Sequence, residues 1–248
     1  MQIKISKYLS HNGNILKKKY ELDDYIDNKK DTIFFGLFLQ KDFEVLNNHK
    51  GKRIIFWAGS DSIHHDKVKS IANLDAIHLA QSTDIENDLM KCGIKKIVRV
   101  NKFNSALDMW KPCKLGTKVY WYKARRHNYG RYKFNEVKGL LPNIEFIVFN
   151  NPINPHEKMK DIYKECFCGV RPTEHDGCAQ TAGEMGLMGR KIIWNGDTPN
   201  AVHYKDAKDI VKHIKELQKG YDYKEVAKET KQFYLKSEQW IKQIGKMI

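Results

Sequence analysis

The stretch FCGVRPTEHDGCAQTAGEMGLMGRKIIWN, residues 167–195, decides how the fold of this chain is interpreted. It begins with a short apolar run, FCGV, that is typical of a buried strand, and it ends with another, KIIW. Between these runs, the polar residues Glu174, His175 and Asp176 lead through Gly177 into a segment that is typical of a helix. A strand, a helix and a second strand in this order predict a parallel β-sheet with a crossover helix.

The same alternation recurs along the chain. The other runs that predict strands are TIFFGLF (32–38), KRIIFWAGSD (52–61), DAIHLAQS (75–82), KKIVRV (95–100), TKVYWY (117–122) and IEFIVF (144–149). Helix-like segments separate them, such as STDIENDLMKCG, with Ser82 or Thr83 as its N-cap and Gly93 as its end. The pattern breaks over 101–116, and we predict a boundary between two α/β halves there.

Composition places the chain among ordered globular proteins. It has 248 residues, of which 41% are hydrophobic and 11% are aromatic. No apolar run approaches the ~18 residues that a membrane span needs. The start of the sequence has no signal-peptide hydrophobic region, which predicts a cytoplasmic location. The five cysteines fit no zinc-binding spacing.

The chain is strongly basic. Its net charge is +14, from 44 Lys and Arg against 30 Asp and Glu. Such a surface attracts nucleic acid, anionic lipid or phosphorylated small molecules. The competing interpretation is that the lysines form an ordinary solvated surface and reflect a compositional bias without function.

The loop after FCGV has the features of a ligand-binding edge. Ligands of open parallel sheets bind beyond the carboxyl ends of the strands, where residues 173–177 are expected. The helix predicted over 179–189 directs its first backbone amides at the same edge, and such amides favour phosphate. Glu184 lies about one and a half turns into this helix. A carboxylate at that place can accept hydrogen bonds from the two hydroxyls of a ribose.

A structural interpretation competes with this binding hypothesis. Asp176 also suits a helix N-cap, and Glu184 suits the exposed face of an amphipathic helix. Glycine inside a helix costs about 0.5–1 kcal/mol. The glycines at 183, 186 and 189 therefore indicate that the helix closely approaches a strand or a ligand.

The segment resembles the donor-binding motif of the "group 1" GT-B glycosyltransferases, in which a short strand is followed by an acidic residue, seven residues and a glutamate. Here the motif is Asp176, seven residues and Glu184, with aspartate where the family usually has glutamate. The resemblance implies an α/β protein with two Rossmann-like parallel-sheet halves facing across a cleft and a C-terminal helix that crosses back. It also implies sugar transfer from a nucleoside-diphosphate donor, with retention of configuration and without a metal ion or other cofactor.

Other segments support the resemblance over about residues 32–215. KVYWYKARRHNYG is similar to the first strand and phosphate loop of the family's donor domain, and IEFIVFNN to the next strand. The implied donor-binding residues are Lys123, Arg125, Arg126, Asn150, Arg171, His175, Gly177, Gln180, Thr181 and Glu184. Among them, the basic pair Lys123 and Arg126 grips the diphosphate, Asn150 borders the nucleobase and Glu184 holds the ribose. Asp176 touches the donor sugar and is placed among the catalytic residues.

The resemblance also divides the chain. We predict an acceptor-side domain over 1–108, a donor-binding domain over 109–221 and a C-terminal helix over 222–248 that packs on the N-terminal half. Typical family members are longer than this chain, and the deficit falls in the N-terminal half. The acceptor domain is therefore expected to be reduced, and the glycine-rich first unit of the family is the candidate for the missing part.

Acceptor activation needs a base or a hydrogen-bond acceptor on the acceptor side. Asp61, after the strand RIIFWAG, is the first candidate, and His78 is the second. The alternatives are a turn or N-cap role for Asp61 and a hydrogen-bonded place in a buried strand for His78. His64 and His65 have no third ligand at a suitable spacing, so no metal site is predicted.

The acceptor stays open between a glycan and a modified base in DNA, the second of which suits the net charge. An alternative from another class is a non-catalytic, basic nucleic-acid-binding α/β protein. The mixture of Lys, Arg and Tyr in YKARRHNYGRYK favours that alternative, because basic and aromatic residues together bind single strands. Nothing in the sequence indicates an oligomeric state.

Overall fold

The computed structural model describes residues 1–101, 106–122, 131–149, 156–173 and 175–237. The chain divides into two compact units. Unit one contains Met1–Asn104 and Asp176–Cys178, and unit two contains Ser105–His175 and Ala179–Lys236. Each unit has its own parallel β-sheet, so the α/β class predicted from the alternating pattern is confirmed.

Unit one is built on a six-stranded sheet with the order β2-β1-β3-β4-β5-β6. Its strands are β1 (Gln2–Ile5), β2 (Asp23–Asp24), β3 (Thr32–Phe35), β4 (Arg53–Trp57), β5 (Ala76–Ala80) and β6 (Ile97–Arg99). Its helices are α1 (Ser10–Lys19), α2 (Gln40–Asn48), α3 (His65–Ser70) and α4 (Thr83–Lys91). Every pair of neighbouring strands is parallel.

The sheet of unit one is buried on both faces. Ile33 and Ile54, which are aligned in β3 and β4, pack with Leu16 of α1 on one face. Their neighbours Phe34 and Ile55 pack with residues of α2, α3 and α4 on the other face. Because both faces are covered, these strands are continuous apolar runs without polar alternation, as is usual for parallel sheets.

The first strand and helix were missed by the sequence interpretation. The N-terminal half does contain a strand before 32–38, because β1 pairs with both β2 and β3 inside the sheet. β1 is four residues long, and Lys4 stands between its two isoleucines. So short a run of mixed polarity carries little periodic signal.

Unit two is built on a five-stranded sheet with the order β11-β10-β9-β7-β8. Its strands are β7 (Lys118–Tyr122), β8 (Phe146–Phe149), β9 (Cys166–Val170), β10 (Lys191–Ile193) and β11 (Ala201–Val202). Its helices are α5 (Arg131–Leu140), α6 (His156–Lys164), α7 (Gln180–Leu187), α8 (Ala207–Gln218) and α9 (Tyr223–Ser237). All neighbouring strands are again parallel.

Both sheets contain a topological switch point. In unit two the chain passes from β7 to the edge strand β8 and then returns to the other side of β7 as β9. In unit one β1, β2 and β3 are related in the same way. The loops that leave the two central strands diverge at a switch point, which opens a crevice at the carboxyl ends of the strands.

The described part of the C-terminal segment is the single helix α9. Residues of α9 through Lys236 belong to unit two, where Val226, Thr230 and Tyr234 are buried. The segment after residue 237 lies outside the described residues. The predicted domain boundaries, and the predicted packing of the C-terminal segment on the N-terminal half, therefore stay predictions.

In the part of the chain that the structure describes, no helix combines the length and the apolar character needed to cross a membrane. The cytoplasmic location stays a prediction.

Candidate active site

The switch point of unit two is marked by a stacked arginine. Tyr122 is the last residue of β7, and Arg171 directly follows β9. The guanidinium carbon of Arg171 lies 4.2 Å from the centroid of the Tyr122 ring, and the Arg171 side chain is almost completely buried. The backbone N–H of Arg171 donates to the carbonyl of Ile193, beyond the end of the ladder. The structure therefore places a fixed positive charge where ligands of parallel sheets bind.

Helix α7 begins beside this edge, after the loop that follows β9. Its N-cap is Ala179, which offers no side-chain acceptor to the first turn. Gln180 and Thr181, both predicted to bind the donor, are the first two residues of the helix. Their backbone amides belong to the set that an α-helix leaves without an intrahelical partner, and such amides attract anions.

Glu184 lies inside unit two and is not on an exposed helix face. It is 4% exposed, and its Oε2 accepts a hydrogen bond of 3.0 Å from the hydroxyl of Tyr163. Burial, followed by the nearby charge of Glu184, raises the pKa of Tyr163 well above its usual range. The interpretation of Glu184 as a surface residue is wrong, because the phenol and the helix enclose the carboxylate.

Asp176 does not act as the N-cap of α7, since that position belongs to Ala179. Asp176 and Gly177 form part of unit one. The carboxylate of Asp176 accepts from the N–H of Gly177 at 3.0 Å, and its carbonyl accepts from the Ser82 hydroxyl at 2.8 Å. Gly177 is buried, and a Cβ there would meet the carbonyl oxygen of Ala58 at 3.5 Å.

Ser82 has a second function in unit one, because its side chain caps α4 by accepting from the N–H of Ile85. The predicted N-cap and the predicted end of this helix at Gly93, which has φ +88°, are thereby confirmed.

Asp61 differs from the sequence expectation. Its side chain was expected to face a cleft, but it is fully buried. Its carboxylate accepts from the N–H of Leu37 at 3.2 Å and from the N–H of Ala58 at 3.0 Å. Burial raises the pKa of Asp61 to about 6, although these amides lower it. Asp61 therefore connects the loops after β3 and β4. This is the turn role that the sequence analysis gave as the alternative to a catalytic role.

His78 is also buried. It has the hydrogen-bonded place in a strand that the sequence analysis gave as the alternative to a catalytic role. It lies in the middle of β5, and its Nδ1 accepts from the indole N–H of Trp57 at 3.1 Å. The two rings are stacked with centroids 6.0 Å apart. Burial lowers the pKa of His78 to about 4. A neutral imidazole that is held against an indole inside the sheet is not placed to meet an acceptor.

Four of the predicted donor-binding residues are not among those that the structure describes. Lys123, Arg125, Arg126 and Asn150 lie outside the described residues, and their assigned roles stay predictions. His175 is described and half-buried on the loop after β9. Thr173, which the sequence places at the same edge but not among the donor-binding residues, lies on the same loop and accepts from the indole N–H of Trp194 at 3.2 Å.

Within the described ranges, no group of three His, Cys, Asp or Glu side chains is arranged to hold a metal ion. His65, half of the histidine pair noted in the sequence, lies 3.6 Å from Asp88.

Two residues of the site were not found by sequence analysis. Tyr122 ends a strand, and Tyr163 lies on the buried face of the amphipathic helix α6. Aromatic residues in such places are ordinary core residues, so the pattern held no signal that they contact Arg171 and Glu184. A view of the strand ends in three dimensions was needed to find them.

No protein-family model matches this chain, and no curated protein sequence matches it significantly. Solved structures do match. Sucrose-phosphate synthase from Thermosynechococcus elongatus superposes with a TM-score of 0.67 at 11% identity, over 95% of this chain and 77% of that chain. Trehalose-6-phosphate synthase, in a study of glycosyl transfer with retention, superposes with a TM-score of 0.62 at 10% identity, over 97% of this chain and 78% of that chain.

A third similar structure is a variant of TarM from S. aureus, in complex with Fondaparinux, alpha-GlcNAc-glycerol and UDP. It has a TM-score of 0.59 at 13% identity, over 88% of this chain, which spans 54% of the length of that TarM chain. Identities this low establish a common fold. The chain has the GT-B fold that its sequence motif predicted.

Proposed function

We propose that this chain is a glycosyltransferase that moves a sugar from a nucleoside-diphosphate donor to an acceptor hydroxyl. The observation that carries the proposal is the placement of Glu184. It is a buried, hydrogen-bonded carboxylate on the helix that follows the central strand β9, eight residues after Asp176. A structural glutamate gains little from burial, because desolvating a charge costs several kcal/mol unless its partners compensate.

Unit two supplies the donor-binding groups in this proposal. Arg171 and the first amides of α7 attract the diphosphate, and Glu184 accepts hydrogen bonds from the ribose hydroxyls. Lys123 and Arg126 add positive charge from the loop after β7, and Asn150 borders the nucleobase. Asp176, His175 and their neighbours contact the donor sugar.

We infer that transfer retains the anomeric configuration and needs no metal ion. The acid-x7-Glu spacing supports retention, and a retaining relative of the same fold, trehalose-6-phosphate synthase, is consistent with it. Arginine, lysine and a helix N-terminus can neutralise a leaving diphosphate by themselves. A transfer assay in the presence of EDTA tests the independence of a metal ion, since a metal-dependent enzyme would lose its activity in EDTA.

We propose a glycan as the acceptor, and a modified base in DNA as the second candidate. The net charge favours DNA, and so does a groove of about 530 Å³ in unit two whose lining includes Lys111, Lys224, Lys228 and Lys231. Lys231 is already paired with Asp108 at 2.8 Å. Neutralising each phosphate on a duplex contributes a log–log salt slope of about −0.9.

The donor is tested first. Wild-type protein is incubated with UDP-glucose, UDP-GlcNAc, GDP-mannose and ADP-glucose, and slow hydrolysis to the free nucleoside diphosphate is measured. One hydrolysed donor with a raised melting temperature supports the proposal. Binding at about 100 times the dissociation constant stabilises by about 2.7 kcal/mol, which a melting curve detects.

The acceptor is tested next, with the hydrolysed donor in labelled form. Hydroxymethylated DNA and glycan acceptors are compared across a salt series, with excess unmodified DNA as competitor. Transfer to glycans that DNA does not disturb excludes the DNA candidate. If no donor is hydrolysed or bound while DNA binds with a steep salt slope, the protein is the non-catalytic nucleic-acid-binding protein instead. Lys111→Glu and Lys224→Glu then test whether the groove is the contact.

A further inference from the structure

One buried phenol is bonded to the predicted ribose-binding residue. The Tyr163 hydroxyl donates to Oε2 of Glu184 at 3.0 Å, and both side chains are almost completely buried. Since a carboxylate oxygen only accepts, the phenol proton is what holds this oxygen. Tyr163 on α6 therefore fixes one end of the Glu184 side chain of α7.

The phenol is itself held rigidly. Tyr163 is 1% exposed, and its ring packs edge-on against Tyr120 with centroids 5.2 Å apart. The fully buried Arg190 donates from Nε to the carbonyl of Tyr163 at 3.0 Å and from Nη2 to that of Lys164 at 3.4 Å. These two carbonyls are at the C-terminal end of α6, where a positive charge is favourable. The ring and the backbone of Tyr163 are thus both fixed.

We propose that Tyr163 is a positioning residue for the donor, and that it sets a requirement for a nucleotide with free ribose hydroxyls. The inference rests on the proposed function, in which Glu184 accepts hydrogen bonds from the ribose. A glutamate side chain that must be ordered on binding weakens affinity, because its rotamer freedom is lost. The Tyr163 bond orders the carboxylate before the donor arrives. Tyr163 makes no contact with the donor and acts through Glu184.

The test measures discrimination, because lost folding stability would weaken the binding of all nucleotides alike. UDP and 2′,3′-dideoxy-UDP are titrated into the wild type, Tyr163→Phe and Tyr221→Phe by calorimetry, with the guanosine and adenosine pairs in parallel. Tyr221→Phe is the matched control. Its hydroxyl bonds the backbone of Phe167 and Lys191 in the same unit.

The wild type is expected to bind the ribonucleotide about tenfold or more tightly than its dideoxy analogue, as hydrogen bonds to a charged group allow. Tyr163→Phe should reduce this ratio to about threefold or less, whereas Tyr221→Phe should keep it. On a Glu184→Gln background, Tyr163→Phe should change the ratio no further.

A folded Tyr163→Phe protein with the wild-type ratio overturns the inference and leaves the proposed function standing. If Tyr163→Phe does not fold, the ratio of Tyr163→Met, which also lacks the hydroxyl, decides in the same way. A wild type that binds none of the three ribonucleotides rejects the proposed function, and the inference with it.

Discussion

The guanidinium of Arg171 stacks on the ring of Tyr122 at 4.2 Å, and the pair joins the carboxyl ends of β9 and β7 at the switch point of unit two. A planar cation over an aromatic face is attracted by about 0.5–2 kcal/mol and is held in one orientation. The contact therefore fixes both the charge and the direction of an arginine at the proposed donor site.

Replacement of the ring tests this contact. Tyr122→Leu should weaken UDP binding about threefold to tenfold, because the loss of the stacked ring costs about 1 kcal/mol and lets the guanidinium move. Tyr122→Phe keeps the ring and should bind UDP like the wild type. Calorimetric titration measures both. Equal losses in the two variants would show that the phenol hydroxyl, and not the stacked face, is what matters.

Glu184→Gln tests the proposed ribose contact. The variant keeps the shape of the side chain and an oxygen that can accept from Tyr163, but it removes the charge. UDP affinity should fall about tenfold, since hydrogen bonds to charged groups contribute about 1.5–3 kcal/mol. Glu216→Gln, on the surface of α8, is the control and should bind UDP normally. Unchanged UDP affinity in a folded Glu184→Gln protein would remove the ribose contact from the proposal.

Arg190 is expected to be essential for the stability of unit two. Its guanidinium is completely buried and donates to backbone carbonyls of Cys113, Lys114, Tyr163, Lys164, Cys166 and Met188. Arg190→Met leaves these carbonyls without that donor, and a buried unsatisfied group costs about 1–3 kcal/mol. The free energy of unfolding in urea should therefore fall by at least about 3 kcal/mol.

The control for Arg190 is Arg99→Met. Arg99 makes a half-exposed ion pair with Glu86 at 3.3 Å, and such pairs contribute about 0–1 kcal/mol. Similar urea midpoints for the two variants would contradict the structural role assigned to Arg190.

Two buried groups of unit one should give opposite pH dependences of stability. Asp61 has a pKa raised from 3.8 to about 6, so its contribution is fully present below pH 3.8 and is lost as the pH rises through about 6. His78 has a pKa lowered from 6.5 to about 4, so its contribution is present above pH 6.5 and is lost as the pH falls through about 4. At about 1.36 kcal/mol per pH unit, each amounts to about 3 kcal/mol.

The two effects largely cancel in the wild type and should be separated by single substitutions. Asp61→Asn leaves His78, so stability should rise from about pH 4 to pH 6.5. His78→Gln leaves Asp61, so stability should fall over about the same range. Urea midpoints at intervals of half a pH unit measure the slopes. Parallel curves for both variants and the wild type would rule out these titrations as the cause.

Gly186 of α7 packs closely against Thr230 of α9 and against Asn200. A Cβ on Gly186 would lie 2.6 Å from Oγ1 of Thr230 and 2.7 Å from Cγ of Asn200. Gly186→Ala should therefore destabilise the protein by about 1–3 kcal/mol, as overpacked cores do. Gly139→Ala, in α5 where a Cβ meets nothing within 4 Å, should instead stabilise by about 0.5–1 kcal/mol. Stabilisation by both alanines in thermal unfolding would show that α7 has room to shift.

The sequence by itself determined the alternation of strand and helix, the cap of α4 at Ser82 and the acid-x7-Glu motif. These features depend on periodicity and on local hydrogen bonds, which a short window contains. A short strand of mixed polarity such as β1, QIKI, falls below that signal. Its place in the sheet depends on pairing with Thr32–Phe35, far along the chain.

Only the tertiary structure decided which polar residues are part of the candidate site. Asp61 follows a strand, where a catalytic base is expected, but its carboxylate accepts from the backbone of Leu37 and Ala58. His78 lies within a strand, and its Nδ1 accepts from Trp57. Glu184, conversely, is joined to Tyr163 across 21 residues. Burial and hydrogen-bond partners are properties of the packed chain. A residue type at a given spacing therefore predicts what a side chain could do, and packing determines which atoms it can reach.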